Sequence, residues 1–129
     1  GRNFTNKIWN AARFVLTNLE EFKDGQWNLK LTGVSNKNFW IIFRLEKTIQ
    51  ALHHHLAEFN LSQAATELYH FVWNDFCDWY IELAKEGLTG WPDEKLETQK
   101  VLFRTLEQTL RLLHPYKDRL STQLRQRIH

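Results

Sequence analysis

Asn3, Asn6, Lys7, Asn10, Arg13, Phe14 and Thr17 recur at three- and four-residue spacings, so on a helix they share one face. Phe4, Ile8, Ala11, Val15 and Leu19 fill the opposite arc as a buried stripe. Amides, two cations, a hydroxyl and an aromatic ring on one face make a specific chemistry possible. Amides and a guanidinium hydrogen-bond base edges, an ammonium meets phosphate, and an exposed ring offers a plane to an unstacked base. Such stacking is worth roughly 1–3 kcal/mol per base. The same residues also read as a solvated face whose Phe14 packs on a neighbouring loop. Spacing alone leaves both readings open.

Ile81 is a smaller oddity. Helical spacing points it away from Trp79 and Leu83, to the outer side that bears Asn74. Single exposed apolar residues are common, so this position carries little by itself.

Other constellations are weaker. His53, His54 and His55 are adjacent, fan out around a helix and cannot converge on one metal ion unaided. His70 and Cys77 share a face about 10 Å apart, too far for a thiolate–imidazole pair, so Cys77 reads as a buried structural thiol. Asp75, Asp78 and Glu82 sit at helical spacing without a pocket and read as a solvated or salt-bridged face. Asn3-Phe4-Thr5 and Asn60-Leu61-Ser62 match the glycosylation sequon, which means little without a secretory signal. Neither a phosphate-cradling glycine loop nor a Gly-x-Ser-x-Gly elbow is present. No catalytic constellation emerges.

The elements that must position these residues are helices. The first is expected over Arg2 to Leu19. Period is lost from Glu20 to Lys37, where Asp24-Gly25, Thr32-Gly33 and Ser35-Asn36 predict a long connection with a turn or short strand. A second helix is expected over Asn38 to Phe59, with Ile41, Ile42, Leu45, Ile49, Leu52 and Leu56 inward. A third, capped by Ser62 and running to Glu86, turns Ala65, Leu68, Tyr69, Val72, Phe76, Trp79, Tyr80 and Leu83 inward. Gly87, Gly90 and Pro92 separate it from a fourth, with Asp93 and Glu94 in its first turn. That helix turns Leu96, Leu102, Phe103, Leu106, Leu110 and Leu113 inward and stops near His114-Pro115. Short connections between the later helices predict an all-α, up-and-down bundle of four to five helices.

Composition agrees. The 129 residues are 43% hydrophobic and 25% charged with 5 Gly and 2 Pro, which suits one soluble helical domain over 1–129. No run is long and apolar enough for a membrane span. Cys77 is the only cysteine, so a reducing, cytoplasmic location is expected. The net charge of +2 conceals basic ends on an acidic middle: residues 1–16 carry Arg2, Lys7 and Arg13 without an acid, and 17–97 are net acidic. That pattern suits a polyanionic partner. There is no methionine and the chain begins Gly1-Arg2, so a removed start or a piece of a longer protein is expected.

The polar face also carries a family resemblance. Arg2-Asn3-Phe4-Thr5-Asn6-Lys7-Ile8-Trp9-Asn10-Ala11-Ala12-Arg13-Phe14-Val15-Leu16 resembles the RNFxNKLWNAxRFVL segment that opens the anticodon-binding helical domain of valyl-tRNA synthetases. Residues 69–85, Tyr-His-Phe-Val-Trp-Asn-Asp-Phe-Cys-Asp-Trp-Tyr-Ile-Glu-Leu-Ala-Lys, are similar to YxFVWNxFCDWYLELAK, and Leu112-Leu113-His114-Pro115 is a third block. The resemblance covers residues 1–115. Isoleucyl and leucyl enzymes share the bundle, but the Asn-Lys-x-Trp-Asn and Phe-Cys-Asp-Trp-Tyr strings look like the valyl branch.

The resemblance implies a class I synthetase module that grips the anticodon loop of valine tRNA. Lys7, Asn10, Arg13 and Phe14 match positions that contact the anticodon, with Phe14 as the stacking plane. Ile81 matches a position, usually leucine, that touches the anticodon from the other side. Asn3, Asn6 and Thr17 are accessory candidates, while Asn74, Asp78 and Trp79 are expected to hold the bundle together. The HIGH and KMSKS signatures are absent, so this chain alone is not expected to be an enzyme. ATP and magnesium would belong to a catalytic domain elsewhere, and this domain is expected to need neither cofactor nor metal. Expected partners are tRNA and the catalytic domain of a parent synthetase, with no membrane and a monomeric state.

Two stretches depart from the family pattern. Asn38 replaces an acid and Phe43 a small residue at the start of the second helix. Residues 116–129 carry charges where the family has an apolar segment that packs on the rest of the enzyme. These departures, with the three-histidine stretch, support a rival expectation: a stand-alone or diverged helical protein-interaction module that has lost tRNA binding.

Overall fold

A computed structural model of the chain describes residues 2–19 and 34–114. Its elements are α1 (Arg2–Thr17), α2 (Asn36–Ala57), α3 (Leu61–His70), a π-helical segment (Phe71–Tyr80), α4 (Ile81–Leu88) and α5 (Pro92–Leu113). α3, the π segment and α4 follow without a break and form one long rod. The described residues are therefore the all-α bundle that the hydrophobic period predicts. The expected turn or strand within 20–33 and the tail at 116–129 lie outside the described residues.

Contacts between rods give their directions. His55, Arg44 and Asn38 of α2 meet Glu67, Asp75 and Tyr80 in that order, so α2 runs antiparallel to the long rod. Phe4 stacks on Tyr69 and Phe14 faces Lys85, so α1 runs beside that rod in the same direction. Gln99 donates to the Asn18 carbonyl and Thr98 abuts Gly87, which returns α5 antiparallel. The rods alternate up and down around Val15, Ile41, Leu68, Phe71, Phe76 and Leu102, all buried.

The helix ends follow local chemistry. Ser35 accepts from the Asn38 N–H at 3.4 Å, so α2 starts two residues before the expected Asn38. Asn60, not Ser62, caps α3 by accepting from the Gln63 N–H at 3.2 Å. Phe59, at φ 58°, turns the chain out of α2 and brings Asn60 to that position, leaving Ser62 inside the helix. Pro92 begins α5, where its missing N–H costs nothing, with Asp93 and Glu94 behind it. α4 runs on through Gly87 to Leu88 instead of stopping at the glycine.

Where the pattern fails, the cause is geometric. The helical wheel puts Trp79 inside and Ile81 outside, yet Trp79 is 63% exposed and Ile81 only 7%. A π-helix closes i to i+5 rings, so each residue advances less than in an α-helix and a wheel drawn for an α-helix loses register. On α5 the buried seam is Thr98, Val101, Leu102, Thr105, Leu106 and Thr109, whereas the expected Leu110 is 44% exposed. Small threonines let the rods approach closely: a Cβ built on Gly87 would overlap the Thr98 hydroxyl. Leu56, expected inside, is exposed beside the end of α2.

Candidate nucleic-acid interface

α1 and the long rod leave a concavity of about 250 Å³ between them. Lys7, Asn10, Ala11 and Phe14 line it from α1, Cys77 from the π segment, and Ile81 and Lys85 from α4. The α1 residues follow one another at helical spacing, and 77, 81 and 85 do the same on the opposite wall. The volume lies below the roughly 300–1,000 Å³ of small-molecule sites and suits one flat heterocycle.

Four of the five principal residues expected from the sequence converge here. Ile81 reaches the pocket for a reason opposite to the one expected: it is buried and forms the apolar floor. Phe14, expected as an exposed plane, is half-buried and packs against the hydrophobic core. Its ring still lines the cavity, with the Lys85 ammonium 5.9 Å from its centroid. Arg13 is exposed and stands outside the lining, as do the exposed Asn3, Asn6 and Thr17.

Lys7 is not a free cation. Its ammonium forms an ion pair with Asp78 and sits 4.0 Å from the centroid of the Trp73 ring. Trp73 is in turn stacked on Tyr69 at 5.7 Å and on Phe4 at 6.2 Å. Asp78 thus ties α1 to the long rod, as expected. Asn74 and Trp79 do not hold the bundle together: Asn74 is exposed and bonds His70 on its own rod, and Trp79 faces solvent. The π segment that turns Trp79 outward accounts for its displacement.

Sequence reasoning missed Lys85 and Cys77 as wall residues. The signal was available, since both lie four residues from Ile81. Lys85 donates to Glu82 at 2.8 Å, and Asp75 accepts from Arg44 at 2.9 Å, so Asp75, Asp78 and Glu82 are all salt-bridged. Burial pushes the Cys77 thiol up to about 12; nearby Lys7 opposes this and Asp78 adds to it. The cysteine is therefore a neutral wall group at physiological pH. His54 and His55 face Glu58 and Glu67 at 3.7 and 3.6 Å. Among the described residues, no three His, Cys, Asp or Glu side chains are placed to hold a metal ion. No described helix is long and apolar enough to cross a membrane.

Fold and pocket together define an all-α helical bundle with a polar-rimmed, aromatic-walled groove between parallel rods. Residues 38–117 match the family described as the anticodon-binding domain of tRNA ligase, and the chain belongs to that family. It is 42% identical over 127 residues to the valine–tRNA ligase of Petrotoga mobilis, an alignment covering 98% of this chain. Identity is 44% over 133 residues, covering 99% of the chain, to that of Gloeobacter violaceus. To that of Bacillus anthracis it is 46% over 119 residues, covering 88%. The chain spans 14, 14 and 13% of the lengths of these relatives. No solved structure matches it.

Proposed function

We propose that the chain is the tRNA anticodon-loop binding domain of a valine–tRNA ligase, contributing tRNA recognition to aminoacylation. The observation that carries this reading is the convergence of Lys7, Asn10, Phe14 and Ile81 on one base-sized concavity. Phe14 supplies the stacking plane, Ile81 the apolar floor, and Asn10 and Lys7 the donors that read a base edge. Arg13, exposed on the rim helix, meets the backbone phosphates. Asn3, Asn6 and Thr17 extend the same polar face as accessory contacts.

Valine activation, with its ATP and magnesium, would belong to the rest of such a ligase, so this domain acts without a cofactor. It works as a monomeric unit in the cytoplasm, with tRNA and the ligase's catalytic domain as its partners.

A second reading, a helical protein-interaction module that has lost tRNA binding, draws on another surface. Phe39 and Phe43 stack at 6.5 Å on α2 and are 51% and 48% exposed. A gel shift with the valine anticodon stem-loop at rising salt separates the two. The tRNA reading expects a complex that weakens steeply with salt as counterions cease to drive it. An unshifted stem-loop at low salt would favour the interaction module.

A further inference from the structure

Lys7 reaches the pocket with its charge already answered. Asp78 pairs with its ammonium from one side and the Trp73 ring lies beneath it at 4.0 Å. The side chain is only 26% exposed. Trp73 is itself fixed by its stacking on Tyr69 and Phe4, so the ammonium has little room to swing. An ammonium carries three N–H donors and no acceptor. With one aimed at Asp78, the others remain for the pocket that Lys7 lines beside Asn10 and Phe14.

The geometry points to Asp78 and Trp73 as positioning residues that make Lys7 a donor to base edges instead of a phosphate anchor. This role rests on the proposed anticodon-loop function. A phosphate approaching Lys7 would meet the Asp78 carboxylate as well, and would have to break the ion pair to profit from the cation. A base carbonyl or ring nitrogen carries no charge for Asp78 to repel and can accept from the donors left over. The pair is electrically neutral, so it releases few counterions when RNA binds. Lys7 therefore contributes discrimination between bases, while exposed cations such as Arg13 supply the general attraction.

The test is a set of salt titrations with two labelled stem-loops, one bearing the valine anticodon and one with that anticodon replaced. The double variant Lys7→Gln/Asp78→Asn, which removes both charges of the pair together, is expected to lose roughly five- to tenfold of the discrimination while leaving the salt slope unchanged. Asp78→Asn frees the ammonium, so it should steepen the slope by about 0.7 and tighten binding to both RNAs. A double variant with a slope flatter by about 0.7 and equal losses on both RNAs would overturn the assignment, because phosphate anchors behave that way.

Amine acetylation followed by mass spectrometry tests the clamp without RNA. Lys7 should label more slowly than exposed Lys47 in the wild-type chain and as fast as Lys47 in Asp78→Asn. Equal rates in the wild type would overturn the clamp whatever the RNA results. A wild-type chain that binds neither stem-loop would remove the anticodon reading and the Lys7 role with it. Retained wild-type binding with a changed slope in the double variant would strike at that role alone.

Discussion

The Tyr80 hydroxyl donates to Asn38 Oδ1 at 2.5 Å, joining residues 42 positions apart in the chain. Asn38 in turn donates through Nδ2 to Glu97 Oε2 at 2.5 Å, and Glu97 also accepts from the Ser35 N–H at 3.1 Å. The start of α2, the end of the π segment and the first turns of α5 meet at this point. Ile81, the pocket floor, is the next residue after Tyr80. The network therefore holds the wall of the site as well as the bundle.

Tyr80→Phe should destabilise the fold by about 1–3 kcal/mol, since it leaves the buried Asn38 oxygen without its donor. Asn38→Ala should cost more, because it strips partners from both Tyr80 and Glu97. Urea unfolding followed by tryptophan fluorescence measures both. A Tyr80→Phe midpoint equal to that of the wild type would show that the hydroxyl contributes nothing.

Gly87→Ala tests the α4–α5 approach. On an open helix alanine would stabilise by roughly 0.5–1 kcal/mol relative to glycine. Here the new Cβ overlaps the hydroxyl of Thr98, which is only 1% exposed, so a buried side chain must shift to admit it. The expected outcome is a loss of about 1–3 kcal/mol. Adding Thr98→Ala should recover part of it, as a non-zero coupling in a double-mutant cycle.

Stability should fall in alkali. Burial raises the Cys77 thiol from its ordinary 9.0 to about 12, and burial followed by the nearby Glu97 charge raises Tyr80 as well. Both groups are held protonated in the folded chain more strongly than in the unfolded one. Their contribution is complete below pH 9 and is lost as pH rises through the raised values. Urea midpoints between pH 8 and 11 should decline, less steeply in Cys77→Ala. Midpoints that stay level to pH 11 would contradict this. Alkylation of Cys77 at pH 7.5 should also be far slower than that of free cysteine.

Ile81→Ala separates the floor from the rim. Enlarging the apolar floor should weaken stem-loop binding while leaving its salt slope intact, because no charge is touched. Arg13→Gln should flatten the slope by about 0.7 for each phosphate that the guanidinium neutralises. Slopes that change for Ile81→Ala and not for Arg13→Gln would reverse the two roles.

Much of this was legible in the residue pattern. α1 showed both faces because its period is regular throughout, and Phe4, Ala11, Val15 and Leu19 are buried as read. The α5 start was legible because Pro92, Asp93 and Glu94 act locally. The exchange of Trp79 for Ile81 was not legible, since nothing in Phe71–Tyr80 announces a π-helix and the α-helical wheel runs out of register there. Thr98, Thr105 and Thr109 read as polar and lie buried, because the closeness of two rods is a property of both and not of either sequence stretch. The Asn38 network was hidden for the same reason: its partners lie 42 and 59 residues away. Lys7 was legible as a member of the polar face and does line the concavity, but its pairing with Asp78 was not legible.

On the proposed function, the groove between α1 and the long rod receives the valine anticodon. Fluorescence anisotropy with stem-loops carrying the valine anticodon and an unrelated one tests it most directly, on the wild-type chain and on Phe14→Ala. Tighter binding of the valine stem-loop is expected, with a loss of roughly 1–3 kcal/mol on removing the Phe14 ring. Equal affinity for the two stem-loops, unchanged by Phe14→Ala, would contradict it.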